Sequence, residues 1–343
     1  MRYTSYKAAV SWNSWGRSKR EGIGVGMVKE EFYYDSRDGK SKLHAVCCTP
    51  DDKDNIRCIV QIVHGMAEYV ERYEEFAEFL TDRGFVVTGE DHMGHGKSVG
   101  EDGKYGYFCE QDPATVLVRD VHRLKKATME KYPGIPYVMM GHSMGSFITR
   151  NYMFRYGTGI DAAVVMGTGM QNRAALVLMK MVIAVQKMFF DSGKKGKLLD
   201  KLAFGRYNQR ITDPKTAFDW LSRDEERVEQ YINDPLCGFV FTINGFQTLN
   251  ELISRLHHPE NLERIPKKMP VFLLSGDADP VGDYGKGVRR AYISLRAVGL
   301  TDIKVKLYEG ARHELLNETN RRDVMQDIYD WIVEKVLHGG DER

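Results

Sequence analysis

Residues 137–146 run Tyr137-Val138-Met139-Met140-Gly141-His142-Ser143-Met144-Gly145-Ser146. The short apolar run 137–140 is too brief for a typical helix and fits a buried strand. From Met144 to Tyr156 the spacing predicts a helix. Between them Gly141, Ser143 and Gly145 form a G-x-S-x-G pattern. A serine on so sharp a strand-to-helix turn has a crowded backbone, which flanking glycines relieve. The turn lifts the hydroxyl above the sheet, and the helix start offers free N–H groups and a positive dipole end. Five letters recur by chance, and the bland alternative is a tight structural turn. The strand before and the helix after make Ser143 a candidate nucleophile.

A serine hydroxyl at neutral pH needs a base, and the base needs an acid to orient it. Where the serine sits on this kind of turn, the chain order is Ser, acid, His. Downstream, the strand Val271–Ser275 leads into Gly276-Asp277-Ala278-Asp279-Pro280-Val281, and the strand Ile303–Tyr308 into Glu309-Gly310-Ala311-Arg312-His313. Both stretches follow the carboxyl ends of strands, where open α/β sheets place their ligands. Asp279 is taken as the acid and His313 as the base. Asp277 is read as a turn-stabilising residue and Asp283 as a weaker third choice. His257, His258 and His338 fall outside the pattern.

A developing oxyanion needs two preorganised donors, one from the residue after the serine and one from the loop after an earlier strand. Met144 supplies the first. The second is expected from Val63-His64-Gly65-Met66-Ala67, after the apolar run Cys58–Val63, with the Met66 N–H as donor. His64 is read as a brace for that loop. The run Asp91-His92-Met93-Gly94-His95-Gly96-Lys97-Ser98 resembles a metal motif only superficially, because no further ligands follow at ordered spacing. It is read as a rigid glycine-rich loop. No Walker motif, G-x-G-x-x-G or EF-hand loop is present in the sequence.

Working outward, strand-like and helical segments alternate, which predicts a mainly parallel sheet covered on both faces. Early strands fall at Glu30–Tyr34 and Leu43–Thr49, as a hairpin around Asp38-Gly39, and at Phe85–Thr88. Helices fall near Tyr73–Arg83, Asp112–Tyr132, Gly285–Ala297 and Asn320–Leu337. The alternation breaks between 168 and 258, where an inserted helical cap is expected. The core would then comprise residues 27–167 and 259–338. Within the insertion, Ala174–Phe190 is apolar apart from Lys180, Gln186 and Lys187. It is too short and too charged to span a bilayer. It packs either on the core or, as a lid, over an acyl pocket or against a lipid surface. In the lid reading Leu178 and Met181 face the pocket.

The bulk numbers exclude several classes. The chain has 343 residues, 42% hydrophobic and 28% charged, with a formal net charge of +1. Nothing draws it to nucleic acid or an anionic membrane. Five cysteines without a CxxC pair suit reduced thiols in a cytoplasm. Residues 1–26 are polar and lack an apolar signal core, so they are expected to form a disordered extension.

With these residues in place the sequence resembles monoacylglycerol lipases and bacterial lysophospholipases of the α/β-hydrolase superfamily. The matching stretches are HGMAEYVERY (64–73), DHMGHGKS (91–98), GHSMGS (141–146), GDADPV (276–281) and the His313 segment. The resemblance covers 27–338. It implies the α/β-hydrolase fold, an eight-stranded and mostly parallel sheet with a helical cap, and hydrolysis of carboxylic esters. It assigns Ser143, Asp279 and His313 to the triad, and Met66 and Met144 to the oxyanion hole. Tyr69 stands where relatives often carry His, at a position expected to border the acyl entrance. The expected substrate is a small-molecule or mono-acyl lipid ester, with no cofactor and with transient lipid contact through the cap. Rival readings are an aryl or cinnamoyl esterase, a peptidase or amidase of the same fold, and a binding protein with a retired site.

Overall fold

A computed structural model describes residues 27–338 apart from Asp102. The expectation for residues 1–26 therefore lies outside the described residues. The hairpin strands are β1 (Met27–Asp35) and β2 (Lys42–Pro50), followed by β3 (Cys58–Val63), β4 (Phe85–Glu90), β5 (Tyr137–His142), β6 (Ala162–Met166), β7 (Val271–Gly276) and β8 (Ile303–Tyr308). They form one eight-stranded sheet in the order β1-β2-β4-β3-β5-β6-β7-β8. Strand β2 is antiparallel to both β1 and β4, and the remaining pairs are parallel. This is the α/β-hydrolase architecture.

The helices are α1 (Glu74–Thr81), α2 (Pro113–Lys131), α3 (Met144–Tyr156), α4 (Arg173–Phe189), α5 (Lys197–Phe204), α6 (Glu225–Asn233), α7 (Ile243–Arg255), α8 (Pro259–Leu262), α9 (Lys286–Ala297) and α10 (Arg321–Ile332). Every residue of β3 to β7 is buried, as expected for strands covered on both faces. Alternate residues of each strand feed two separate cores. Ile59, Met139, Val165 and Leu273 pack with Leu117 and Leu124 of α2, Phe147 and Ile148 of α3, and Val288 and Leu295 of α9. Val60, Met140, Val164 and Leu274 pack with Phe76 and Leu80 of α1 and with Val324, Ile328 and Trp331 of α10. The period of two along the strands thus sets which helices lie on which face.

The early strands run longer than expected, β1 from Met27 and β4 to Glu90, and two helices differ in type at one end. The expected helix at Tyr73–Arg83 begins with a tight turn at Val70–Tyr73 and becomes α-helical only at Glu74. The expected final helix is α-helical to Ile332 and then widens into a π-turn, Val333–Leu337. Between β6 and β7 the chain runs through α4 to α8 and adds no strand to the sheet. No helix among the described residues is long and apolar enough to cross a membrane.

Beneath the sheet, two carboxyl groups are enclosed away from water. Glu90, at the end of β4, receives the Tyr34 hydroxyl, and Asp120 of α2 receives Ser36 Oγ at 2.7 Å and the Arg37 N–H at 2.6 Å. Burial pushes the Glu90 carboxyl up to about 8. Burial and the nearby Glu90 push Asp120 up to about 8 as well. The unfolded chain releases these protons at about pH 4. Folding therefore holds protons that the unfolded chain has lost, and this contribution to stability fades as pH rises from about 4 towards 8. Replacing Glu90 with Gln should flatten that decline: urea unfolding at pH 5, 6.5 and 8 should show a smaller loss than in the wild type. An unchanged slope would mean that Glu90 is already ionised in the folded protein.

Candidate active site

The turn between β5 and α3 is built from close approaches. Ser143 has φ 53° and ψ −119°, a conformation that costs a non-glycine residue strain. A Cβ on Gly145 would lie 1.8 Å from the Val63 carbonyl oxygen, and one on Gly141 would lie 2.3 Å from the Gly145 carbonyl oxygen. Only glycine fits either position. The Ser143 N–H donates to the Met166 carbonyl at 3.0 Å, which anchors the turn to β6. Met144, as the first residue of α3, has an N–H with no acceptor within the helix.

The loops after β7 and β8 bring Asp279 and His313 together. Nδ1 of His313 lies 3.0 Å from Oδ2 of Asp279, and both residues are buried. Asp279 is held by the Ser275 hydroxyl on Oδ2 at 3.1 Å and by the Val281 N–H on Oδ1 at 2.8 Å. A carboxylate on the Nδ1 side fixes the proton there and leaves Nε2 as the basic nitrogen. Asp277 instead accepts the Gly310 N–H at 2.7 Å and ties the two loops at their exposed edge. Asp283 pairs outward with Arg290 at 3.0 Å.

The loop after β3 approaches the same turn. A Cβ on Gly65 would meet Oε1 of Glu68 at 2.4 Å and Cβ of Ser143 at 3.1 Å, so a larger residue would displace the Glu68 carboxylate and crowd the serine. His64 faces the Gly65 carbonyl through Nδ1 at 2.8 Å and receives the His92 N–H on Nε2 at 2.9 Å. Burial pushes it down to about 3, so it braces the loop as a neutral ring. His95 lies among the rings of Phe108, Phe239 and Phe241, with centroids 5.3–5.7 Å away. Asp91 receives the backbone N–H groups of Val70 and Lys97. The glycine-rich loop is thus organised from within. Among the described residues, Glu31, His44 and Glu71 are close enough to share an ion, and Lys97 Nζ already bridges the two carboxylates at 2.8 Å each.

Met66, Ser143, Met144 and His313 line one cavity of about 530 Å³. Its walls carry Glu68, His142 and Glu314 beside Ser143 and His313, and Phe147, Leu176, Met179, Phe204 and Leu249 elsewhere. Three expected contacts are not made. Leu178 and Met181 are 57% and 54% exposed on the outer side of α4, and Ala175, Leu176 and Met179 take the cavity side. Helix α4 is apolar on both sides, so its composition does not reveal which side faces inward. Tyr69 does not line the cavity either. Its hydroxyl donates to Asp234 at 2.8 Å and tethers the loop after β3 to the helical segment.

The sequence reading missed a buried polar group behind the cavity wall. Arg72 donates to both Glu314 oxygens at 2.7 and 2.8 Å and to Oε2 of Glu68 at 2.9 Å. Oε1 of Glu68 accepts the Gly65 N–H at 2.6 Å and the Tyr73 hydroxyl at 3.0 Å. Burial alone would raise the Glu68 carboxyl, but His142 and Arg72 hold it well below the usual carboxylate range. The only signal was the four-residue spacing of Glu68 and Arg72. Nothing local pointed to Glu314.

Comparison with known proteins agrees with this geometry. A family model described as serine aminopeptidase, S33 matches residues 54–320. Homo sapiens monoglyceride lipase is 30% identical over 291 residues, covering 83% of this chain and 85% of the relative. Mycolicibacterium smegmatis monoacylglycerol lipase is 27% identical, covering 83% and 90%. A crystal structure of a thermostable carboxyl esterase from Bacillus coagulans superposes with a TM-score of 0.82 at 33% identity, covering 90% of this chain and 98% of that one. The elbow, the loop geometry and these likenesses agree: the chain belongs to the serine aminopeptidase S33 family of α/β-hydrolases, and it is a hydrolase similar to the monoacylglycerol lipases.

Proposed function

We propose that this hydrolase cleaves carboxylic esters carrying a single acyl chain, of the monoacylglycerol or lysophospholipid kind, through a covalent acyl-enzyme on Ser143. The observation that carries this reading is the buried His313–Asp279 pair, whose histidine shares a cavity wall with the strained Ser143. His313 Nε2 takes the Ser143 proton as Oγ bonds to the ester carbonyl carbon. The N–H groups of Met66 and Met144 receive the negative charge that develops on the carbonyl oxygen. The tetrahedral intermediate expels the alcohol, which leaves with the proton from His313. Water then gives its proton to His313 and its hydroxide to the acyl carbon; the acyl–Oγ bond breaks, His313 returns the proton to Oγ, and the acid leaves with Ser143 restored. No metal or organic cofactor enters these steps.

The apolar walls at Phe147, Leu176, Met179 and Leu249 suit an acyl chain, and the relatives named as monoacylglycerol lipases support the same class. An aminopeptidase would need acceptors for a substrate amine; Glu68 and Glu314 are already committed to Arg72, and Asp200 is the further carboxylate on the cavity lining. An aryl or cinnamoyl esterase remains the rival within ester chemistry. In this reading residues 168–258 form the cap, with α4 as a lid helix. Val177, Leu178, Met181, Val185, Met188 and Phe189 on its outer side are more than half exposed. That side rests transiently on a lipid surface while substrate enters. The five free thiols fit a reducing compartment, and the proposal places the enzyme in the cytoplasm.

A panel of p-nitrophenyl esters, monoacylglycerols and lysophospholipids tests the substrate class. Activity confined to aryl esters would exclude the mono-acyl lipid reading. Ser143→Ala and His313→Ala should each lower kcat by a factor on the order of 10⁵–10⁶, and the double variant should be little worse. A Ser143→Ala enzyme retaining more than about a tenth of wild-type turnover would end the proposal.

For the acid, Asp279→Asn should cost about 10⁴ in kcat by favouring the wrong His313 tautomer. Asp277→Asn should cost less than about tenfold, because its bond lies at the loop edge. A reversed order would move the acid by two residues.

The two sides of α4 are separable by experiment. Met179→Ala should shift the optimum in relative kcat/KM across C4 to C16 esters, since one methylene in a pocket is worth about 1–3 kcal/mol. Leu178→Glu and Met181→Glu should leave that optimum in place and weaken flotation with phosphatidylcholine vesicles. Unchanged flotation would rule out lipid contact through this side.

A further inference from the structure

Two acceptors face the two ring nitrogens of His142, the residue immediately before Ser143. Nδ1 lies 3.1 Å from Oε1 of Glu68, and Nε2 lies 3.3 Å from the carbonyl oxygen of His313. The ring is buried. A neutral imidazole has one N–H, so it would satisfy one acceptor and turn its own lone pair towards the other. The imidazolium donates to both. Glu68 cannot relieve the conflict by holding the proton itself. Gly65 N–H, Tyr73 hydroxyl and Arg72 already donate to its two oxygens, which fixes it as a carboxylate.

The charges of the enclosed group lead to the same conclusion. Glu68 and Glu314 contribute two negative charges, and Arg72 contributes one positive charge. All are buried or nearly so, where an unbalanced charge is costly. A second positive charge on His142 closes the group to neutrality.

We infer that His142 is a resident imidazolium that positions the catalytic apparatus: one N–H pins the His313 backbone, and the other, through Glu68, pins the Gly65 end of the oxyanion loop. The inference rests on the hydrolytic mechanism proposed above. A single cation thereby joins the elbow, the loop after β3 and the loop after β8, the three segments that must keep register during catalysis. The groups that face it are Glu68, Arg72 and Tyr73 from the β3 side, and His313 and Glu314 from the β8 side. Burial opposes its charge, but the bond to Glu68 and the charges of Glu68 and Glu314 outweigh burial and raise its pKa.

One effect on pH dependence follows. On the alkaline side, loss of the His142 proton orphans one of its two acceptors and loosens the loops.

Nitrogen-15 NMR of the labelled wild-type enzyme reads the protonation state directly. His142 is identified by the signals missing from His142→Asn or, should that variant not fold, by its Overhauser contact with the Tyr73 ring. The expected result is two protonated ring nitrogens at pH 7.5 that titrate only at higher pH. A single neutral tautomer at pH 7.5 overturns the inference. The kinetic arm compares kcat/KM against pH for wild type, His142→Asn and Glu68→Gln on a soluble p-nitrophenyl ester. The alkaline limb of the wild-type profile should be absent from His142→Asn and move to lower pH in Glu68→Gln, where the acceptor that holds the proton is gone. A uniform drop with an unmoved limb contradicts the positioning role. Failure of the wild type to hydrolyse any ester would sink the proposed function, whereas the NMR result on protonation would stand or fall by itself.

Discussion

The structure depends on a contact that leaves no room for a side chain. Gly145 passes so close to the Val63 carbonyl that a Cβ would lie 1.8 Å from it, and a Cβ on Gly65 would lie 3.1 Å from that of Ser143. These approaches set the end of β3 against the start of α3. Three requirements are met at that one place. The serine is forced into a left-handed backbone, its hydroxyl leaves the sheet edge, and the loop carrying Met66 is brought beside Met144. Two cores hold the approach in place, because β3 and β5 are central strands packed on both faces. The strain at Ser143 is thus supported by the most buried part of the molecule, where cavities and shifts are least tolerated.

Around that contact the chain places charge with unusual economy. Asp279 sits behind His313 and receives two further donors, so its charge is held without solvent. On the other side, Arg72 links Glu68, four residues before it, to Glu314, 242 residues after it. That bidentate pair closes the wall of the cavity beside the proposed oxyanion loop. Its role is geometric: a buried ion pair seldom adds much stability over an apolar replacement, but removing one partner is costly. The cavity walls away from it are aromatic and aliphatic and come largely from α4, α5 and α7. The polar and apolar walls therefore have different origins, one in the loops at the sheet edge and the other in the segment between β6 and β7.

Much of this was legible from sequence because it is local. Met144–Tyr156 and Ile303–Tyr308 were bounded to the residue. The pairing of Asp279 with His313 followed from chain order and strand ends. The failures share a cause. Leu178 and Met181 were placed in the cavity because α4 is apolar on both sides, and periodicity alone does not say which side is covered. Tyr69 was placed at the entrance, whereas a partner at Asp234, 165 residues away, draws its hydroxyl elsewhere. Glu314 carried no signal, since its importance depends on Arg72, which arrives from the loop after β3, 242 residues away in sequence. Local chemistry can be read from spacing, but a contact between distant loops needs the fold first.

The central claim is that Ser143, activated by its setting, is the nucleophile of this hydrolase. The most direct test is covalent labelling with a fluorophosphonate, followed by peptide mass spectrometry. The account predicts one equivalent of phosphonate per chain on the peptide containing Ser143, with labelling abolished by heat denaturation and much slowed in the Asp279→Asn variant. Labelling at another serine, or none in the folded protein, would contradict it.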